Sequence, residues 1–429
     1  MSAAFFWIAA GAGALALLTP CVLPMVPISM AYFSASTERR GSALKEAFAF
    51  ALGIVATFTA AGLGLAVLIG ATGIARLAAN PWTNLVIGVS FVAFALGLLG
   101  AYDIAVPFAR IAAEKSDRAA RARAGSVIGG FLMGVAFSIA SFTCTVPFAG
   151  PLLVAASRGE WHAPVAGMLV FSTVFAAPFV LLGLAPRLID RWPRYRRGMK
   201  SAITVVALAE IGAAMKFFSN ADLVWRTGIL SRTAMIAIWF ALAIIALLVI
   251  ARPLLSVEGK QVTLPRLGLL AALGAITLWL GLGLTGRRLG ELEAFLPPDL
   301  STPALTARVA GVHWILNDHP AALAEARRTG RLVLIDFTGY TCTNCRWMES
   351  RIFSRADVSA ALGPFVLSRL YTDGEGAVYE KQQQFQEQQF GTVALPLYAI
   401  VDGTGKTVRT FAGLTRNPAE FLAFLRSAS

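Results

Sequence analysis

Long stretches without a charged side chain are the feature that most limits what this chain can fold into. A helix that crosses a membrane needs about 20 apolar residues, and the sequence holds eight segments of that kind. Seven of them contain no charged residue, whereas the eighth, 201–219, includes Glu210 and Lys216. The other seven are residues 1–37, 47–75, 77–102, 124–157, 161–186, 233–251 and 267–286. The pattern predicts a polytopic α-helical membrane protein with eight helices.

Composition and net charge agree with this prediction. Of the 429 residues, 57% are hydrophobic and only 14% are charged, whereas an ordinary soluble domain has about 25% charged residues. The net charge of +13 could indicate nucleic-acid binding, but residues 1–286 carry +12 and residues 287–429 only +1. The basic excess lies between apolar segments, where it sets orientation in a membrane. We therefore expect membrane lipid, and no nucleic acid, as a partner.

The basic residues of the loops predict which way the helices face. With eight spans, the odd-numbered loops hold 17 Lys and Arg residues and the even-numbered loops hold four. Basic loops stay in the cytoplasm, so both termini are predicted to lie outside. The four basic residues of the outer loops are Arg76, Arg158, Arg226 and Arg232. The first segment lacks a basic n-region and continues to Tyr32, so we expect no cleaved signal peptide.

The character of the sequence changes after Gly286. We predict a transmembrane domain over residues 1–286, a polar and proline-containing linker over 287–311, and a soluble α/β domain over 312–429. In the soluble domain the pattern predicts helices over 319–329, 343–353, 379–390 and from Asn417 or Pro418 to Leu425. It predicts strands over 332–337, 364–371, 397–401 and 407–411.

Cys342 and Cys345 follow the first of these strands and open a predicted helix. A C-x-x-C motif beside βαβ patterning is typical of thioredoxin-like redox domains. A helix N-terminus stabilises a thiolate, which predicts Cys342 as the nucleophile and Cys345 as the thiol that resolves the mixed disulfide. The alternative is a zinc half-site, which needs two more ligands. Neither His313 nor His319 stands at ligand spacing, so we expect no metal.

Two further cysteines lie within apolar segments. Cys21 is flanked by Pro20 and Pro24, and Cys144 is followed by Pro147, so both belong to Cys-x-x-Pro motifs. An interior proline breaks a helix, which a membrane tolerates where the break is buried or lines a cavity. The two motifs are 123 residues and three predicted helices apart, which predicts inverted three-helix repeats with a site at their interface. The alternative is that each cysteine is a small buried hydrophobe.

Both pairs of cysteines resemble those of one family. Residues 19–25 closely resemble the first-helix motif of DsbD and CcdA-type membrane domains, and Cys144 stands at the second membrane cysteine of that family. Thr143 departs from the proline that often precedes this cysteine. Residues 336–349 resemble the active-site stretch of thioredoxin-fold domains fused to DsbD-type reductases. The resemblance implies a transmembrane thiol:disulfide reductase with a C-terminal thioredoxin-like domain, lacking the usual N-terminal periplasmic domain.

This resemblance implies a path for electrons across a bacterial cytoplasmic (inner) membrane with both termini periplasmic, as in cytochrome c biogenesis. Reducing equivalents would pass from cytoplasmic thioredoxin to Cys21 and Cys144, then to Cys342 and Cys345, and then to oxidised periplasmic thiol proteins. Every step is thiol–disulfide exchange, so no cofactor is expected.

The resemblance also implies supporting residues. Asp336 corresponds to a buried acid, Glu349 to a second acid that can exchange protons, and Pro396 to a cis-proline that faces the thiols. From the residues alone, Glu349 could instead be a solvated charge, and Pro396 could begin an edge strand. Glu210 could be a proton relay or could have a structural partner.

Two other functions stay open. One is a membrane transporter with a tethered redox-regulatory thioredoxin domain, because inverted repeats and broken helices also suit transporters. In that case Cys21 and Cys144 would only gate or pack. The other is an oxidase that passes electrons to a quinone, for which the sequence shows no identifiable quinone site.

Overall fold

A computed structural model describes residues 3–17, 22, 40–101, 127–139, 141, 162–184, 196–255, 264–298, 308–309 and 312–427. The chain divides into two compact units. The first consists of Met1–Ile74 and Val92–Glu210, and the second of Ala75–Phe91 and Ile211–Ser429.

The described part of the apolar region is mainly helical. Its helices are α1 (Ala3–Ala16), α2 (Arg40–Ala79), α3 (Pro81–Leu98), α4 (Val127–Ile139), α5 (His162–Leu184), α6 (Arg196–Trp225), α7 (Arg232–Leu255) and α8 (Leu264–Leu284). Among the described residues, five helices are long and apolar enough to cross a membrane, namely α2, α3, α6, α7 and α8. The apolar parts of α1, α4 and α5 are shorter than a span. A membrane protein with several spans is therefore confirmed, whereas the number eight and the inverted repeats stay predictions.

In the first unit, aromatic rings fill the space between helices. The ring centroid of Phe137 in α4 lies 5.6 Å from that of Phe50 in α2 and 6.1 Å from that of Phe175 in α5. Gly53 and Gly134 lie where α2 and α4 meet, and a Cβ at either position would collide with the backbone of the other helix. Small residues at such crossings let helix backbones approach closely in a membrane.

The second unit contains a six-stranded mixed sheet. Its strands are β1 (Arg308–Val309), β2 (Val312–Leu316), β3 (Val333–Thr338), β4 (Val366–Tyr371), β5 (Leu397–Val401) and β6 (Thr407–Ala412). Their order is β1-β2-β4-β3-β5-β6, with β4 parallel to β2 and β3, and with β5 antiparallel to β3 and β6. The helices of this part are α9 (His319–Thr329), α10 (Thr343–Met348), α11 (Ala356–Leu362), α12 (Ala377–Phe390) and α13 (Pro418–Arg426).

The sheet is covered on both faces, which explains why its strand β3 is buried throughout. Successive side chains of a strand point to opposite faces. Leu334 belongs to the core formed with α10, α11 and α13, whereas Val333 and Ile335 belong to the core formed with α9 and α12. Burial of both faces gives this domain, called the outer domain after its predicted location, a hydrophobic core of its own.

The observed elements agree closely with the predicted ones. The helix at 319–329 and the strand at 397–401 have the predicted bounds, and Asn417 caps α13 by accepting a hydrogen bond from Ala419 N at 3.1 Å. The helix predicted over 343–353 is α10 continued by a turn of π-helix, Glu349–Phe353. Helix α11 and the strands β1 and β2 were not predicted.

The segment predicted as a linker contains regular structure. Gly290–Phe295 forms a 3-10 helix, here called the connector helix. Arg232 at the start of α7 pairs with Glu293 of the connector helix at 2.6 Å. On its other side, Glu291 accepts a hydrogen bond from Trp347 Nε1 of α10 at 2.8 Å. The connector helix therefore contacts both a membrane helix and the helix that carries the C-x-x-C motif.

Candidate active site

The outer thiol pair lies at the N-terminus of α10. Cys342 is the N-cap residue and is joined to Cys345 by a disulfide, with 5.3 Å between their Cα atoms. The backbone N–H of Cys345 donates to Cys342 Sγ at 3.1 Å. Cys345 is 1% exposed, whereas Cys342 is partly exposed. Only the Cys342 sulfur is thus open to attack, and the helix N-terminus is placed to stabilise its thiolate.

Asp336 is buried in the centre of the sheet, on the face that α10 covers. The strand register places it between Arg369 of β4 and Tyr398 of β5. Arg369 Nε donates to Asp336 Oδ2 at 2.8 Å. Burial raises the pKa of Asp336 to about 6, although the positive charge of Arg369 opposes the rise.

Glu349 faces the same buried charges. Its Oε2 lies 2.7 Å from an Arg346 guanidinium nitrogen, and its Oε1 lies 3.5 Å from one of Arg369. Arg346 also donates to Thr338 Oγ1 at 3.2 Å. The Glu349 side chain is 12% exposed, so it is not a solvated surface charge.

Asp336, Glu349, Arg346 and Arg369 form one buried network, here called the charge network. Removing one partner from such a network leaves an uncompensated charge, which costs about 3–5 kcal/mol. Although burial lowers the pKa of Arg369, Glu349 and Asp336 raise it above its ordinary value. Sequence reasoning missed both arginines. For Arg369 a signal was available, because it is a charged residue within a strand, Val366–Tyr371, that otherwise carries no charge.

The loop before Cys342, residues 339–341, is held from two sides. The Leu395–Pro396 peptide bond is cis, as predicted. A Cβ on Gly339 would lie 3.1 Å from Leu395 Cδ1 and 2.5 Å from Asp373 Oδ2, so the cis-proline loop and Asp373 both abut this loop. Asp373 accepts hydrogen bonds from the backbone N–H groups of Tyr340 and of the next residue, at 2.7 and 2.9 Å. Sequence reasoning missed Asp373.

The predicted membrane site belongs to a part of the chain that the structure does not describe. Cys21 and Cys144 lie outside the described residues, as do Pro20, Pro24 and Pro147. Glu210 is described, and its side chain is fully buried in α6. Its role stays a prediction.

Comparison with known proteins agrees with the two parts of the fold. The family model described as cytochrome C biogenesis protein transmembrane domain (DsbD_TM) matches residues 2–216, half of the chain. The chain belongs to this family. A second model, described as thioredoxin-like, matches residues 314–403 of this DsbD_TM protein. Together with the five apolar helices, membership of the family identifies a multi-pass inner-membrane protein.

Relatives of this DsbD_TM protein carry the name thiol:disulfide interchange protein DsbD. The one from Ralstonia nicotianae is 27% identical over 431 residues, which cover 97% of this chain and 67% of the relative. DsbD 1 of Pseudomonas aeruginosa is 26% identical over 377 residues, which cover 85% of this chain and 60% of the relative. The chain thus spans about two thirds of the length of these relatives.

Proposed function

We propose that the protein is a protein-disulfide reductase that carries reducing equivalents across the cytoplasmic membrane. The observation that carries this proposal is the Cys342–Cys345 disulfide at the N-terminus of α10 in a thioredoxin-like domain. This domain is fused to a membrane region of the DsbD_TM family. The names of the relatives, thiol:disulfide interchange proteins, support the same activity.

The proposed path begins at cytoplasmic thioredoxin and ends at oxidised periplasmic proteins. Thioredoxin reduces a Cys21–Cys144 disulfide, and the resulting dithiol reduces the Cys342–Cys345 disulfide on the periplasmic side. The direction follows from the compartments, because the cytosol is kept reducing and the periplasm oxidising. With an even number of spans and with the basic loops in the cytoplasm, both termini lie in the periplasm.

The transfer to the outer pair is an exchange of two disulfides. One membrane thiolate attacks Cys342 Sγ, a new S–S bond forms, and the Cys342–Cys345 bond breaks with Cys345 leaving as a thiolate. The second membrane thiolate then attacks the membrane sulfur of the mixed disulfide and releases Cys342. Two electrons and two protons pass to the outer pair, and the membrane pair becomes a disulfide.

The buried acids fit the proton part of this exchange. The pKa of Asp336, at about 6, lies close enough to neutral pH for the carboxylate to accept and return a proton. Glu349 belongs to the same charge network, in which it contacts Arg346 and Arg369.

The test replaces each membrane cysteine in the full chain. Cys21→Ala and Cys144→Ala should each leave Cys342–Cys345 oxidised in cells, because a single thiol cannot store two electrons. Thr143→Ala, next to Cys144, is the matched control and should leave the outer pair reduced. The redox state is read by alkylation and gel shift. An outer pair that stays reduced in both cysteine variants, at normal abundance, would refute the relay.

The transporter alternative is not favoured. A packing role for Cys21 and Cys144 predicts a modest loss of stability with the outer pair still reduced, so the same experiment separates the two functions.

A further inference from the structure

The C-terminal end of α6 lies against the loop that carries the redox pair. Leu223 and Val224 are buried together with Tyr340 of this loop and with Tyr371 of β4. Arg226 follows them, and its guanidinium donates hydrogen bonds to the hydroxyls of both Tyr340 and Tyr379. The guanidinium carbon also lies 5.3 Å and 5.9 Å from the centroids of these two rings. One arginine thus combines hydrogen bonds with cation–π contacts.

The backbone that carries Arg226 is held in one conformation. Arg226 has φ of +56°, a left-handed conformation that is uncommon for residues other than glycine. Asp222, one turn earlier, accepts hydrogen bonds from the backbone N–H groups of Ile229 and Leu230 at 3.1 and 3.0 Å, and from the Thr227 hydroxyl. These bonds close the loop after α6, so the guanidinium is presented at a defined position.

Tyr340 is equally well fixed on the outer domain. Its ring stacks on Tyr371 with the centroids 4.1 Å apart and an interplanar angle of 12°. Its backbone N–H donates to Asp373 at 2.7 Å. Because Tyr340 precedes Cys342 by two residues, a contact that holds the Tyr340 hydroxyl also holds the approach to the reactive sulfur.

Arg226 is not the only basic residue of the predicted outer loops to make such a contact. Arg76 Nε donates to Gln383 of α12 at 2.5 Å, and Arg232 pairs with Glu293 of the connector helix at 2.6 Å. Basic residues are disfavoured in short outer loops. Their contacts with the outer domain or with the connector helix account for these three arginines in the predicted outer loops.

We propose that Arg226 is a positioning residue for electron transfer into the outer pair. It holds Tyr340 and Tyr379 at the end of α6 and thereby fixes the loop before Cys342 when a membrane thiolate attacks Cys342 Sγ. This inference rests on the proposed function, because it assumes that a reduced Cys21–Cys144 pair is the donor. It assigns a role to a residue that has no redox chemistry of its own.

The test measures how fast the outer pair is reduced in the purified full chain in lipid nanodiscs. Thioredoxin kept reduced by thioredoxin reductase and NADPH is the donor, and acid-quenched samples are alkylated and resolved by gel shift. Arg226→Ala removes the hydrogen bonds and the cation–π contacts to both tyrosines, so it should slow the transfer about tenfold or more. Tyr340→Phe, which keeps the ring that stacks on Tyr371, should slow it by a similar factor.

Three controls separate positioning from folding and from failure of the relay. Dithiothreitol should reduce the outer pair of Arg226→Ala at the wild-type rate, because it reaches Cys342 without the membrane pair. Arg287→Ala removes an exposed positive charge and should transfer at the wild-type rate. Cys144→Ala should abolish the transfer, and if it does not, the proposed function fails whatever Arg226 does.

The effects of the two substitutions on the transfer rate should not be additive. If Arg226 acts through Tyr340, the double variant Arg226→Ala/Tyr340→Phe should transfer about as slowly as Arg226→Ala alone. Arg226→Lys should restore part of the rate, because lysine keeps the charge without the planar fork of donors. Wild-type transfer in Arg226→Ala, or fully additive losses in the double variant, would overturn the inference.

Discussion

Replacing Arg369 by methionine should destabilise the outer domain strongly, and more so as the pH rises. Arg369 is 1% exposed, bonds Asp336 at 2.8 Å, lies 3.5 Å from Glu349 and stacks over Trp314 at 4.3 Å. Methionine fills part of the same volume without a charge. The variant therefore leaves the Asp336 carboxylate buried with no direct cationic partner, which costs about 3–5 kcal/mol near neutral pH.

The direction of the pH dependence follows from the pKa of Asp336. In the wild type, burial raises this pKa from 3.8 to about 6, and Arg369 is the strongest opposing influence. A carboxyl with a raised pKa in the folded state loses stability as the pH rises from the unfolded value to the folded value, because the unfolded chain releases its proton first. Without Arg369 the folded pKa of Asp336 rises further. Above its folded pKa the wild type loses little further stability from this group, whereas the variant keeps losing up to about 1.4 kcal/mol per pH unit until the pH reaches its own folded pKa.

Urea unfolding of the oxidised outer segment, residues 287–429, at pH 6 and pH 8 tests this expectation, since the segment has its own two-sided core. The difference between wild type and Arg369→Met should be larger at pH 8, by up to about 3 kcal/mol. Adding Asp336→Asn to the variant should remove most of this pH dependence. Arg328→Met is the matched control, because the pair of Arg328 with Glu325 is solvent-exposed and its loss should barely change the free energy of unfolding. A loss below about 1 kcal/mol, or one that is equal at both pH values, would refute the reasoning.

Three further outcomes are expected. A membrane-impermeant thiol reagent should label reduced Cys342 in intact spheroplasts, and labelling only after lysis would place the outer domain in the cytoplasm. Cys345→Ser should accumulate mixed disulfides through Cys342 that a reductant dissolves, whereas trapping by Cys342→Ser instead would exchange the two roles. Gly339→Ala should destabilise the outer segment by about 1–3 kcal/mol in urea unfolding, because its Cβ would lie 2.5 Å from Asp373 Oδ2. A wild-type unfolding midpoint for Gly339→Ala would contradict the close approach.

Local patterns in the sequence were enough to predict most elements of the outer domain. Hydrophobic periodicity and capping residues predicted the helix at 319–329 and the strand at 397–401 with their observed bounds. Helix α11, Ala356–Leu362, was missed because it has only seven residues, too few for a periodic pattern to stand out. The connector helix was missed because its proline-containing surroundings are typical of loops, and its contacts with α7 and α10 come from residues distant in sequence.

What the sequence determined by itself is what short stretches encode: apolar segments long enough for a membrane, a C-x-x-C motif at a helix start, and the asymmetry of the loop charges. The tertiary structure alone decided which charges meet. Arg369 follows Asp336 by 33 residues, and only the parallel pairing of β3 with β4 brings the two together. Likewise, Arg226 and Tyr340 are 114 residues apart and meet only where α6 ends against the outer domain. Burial then determines the free energy of these charges, because a charge removed from water is stabilised only by the partners that the fold brings to it.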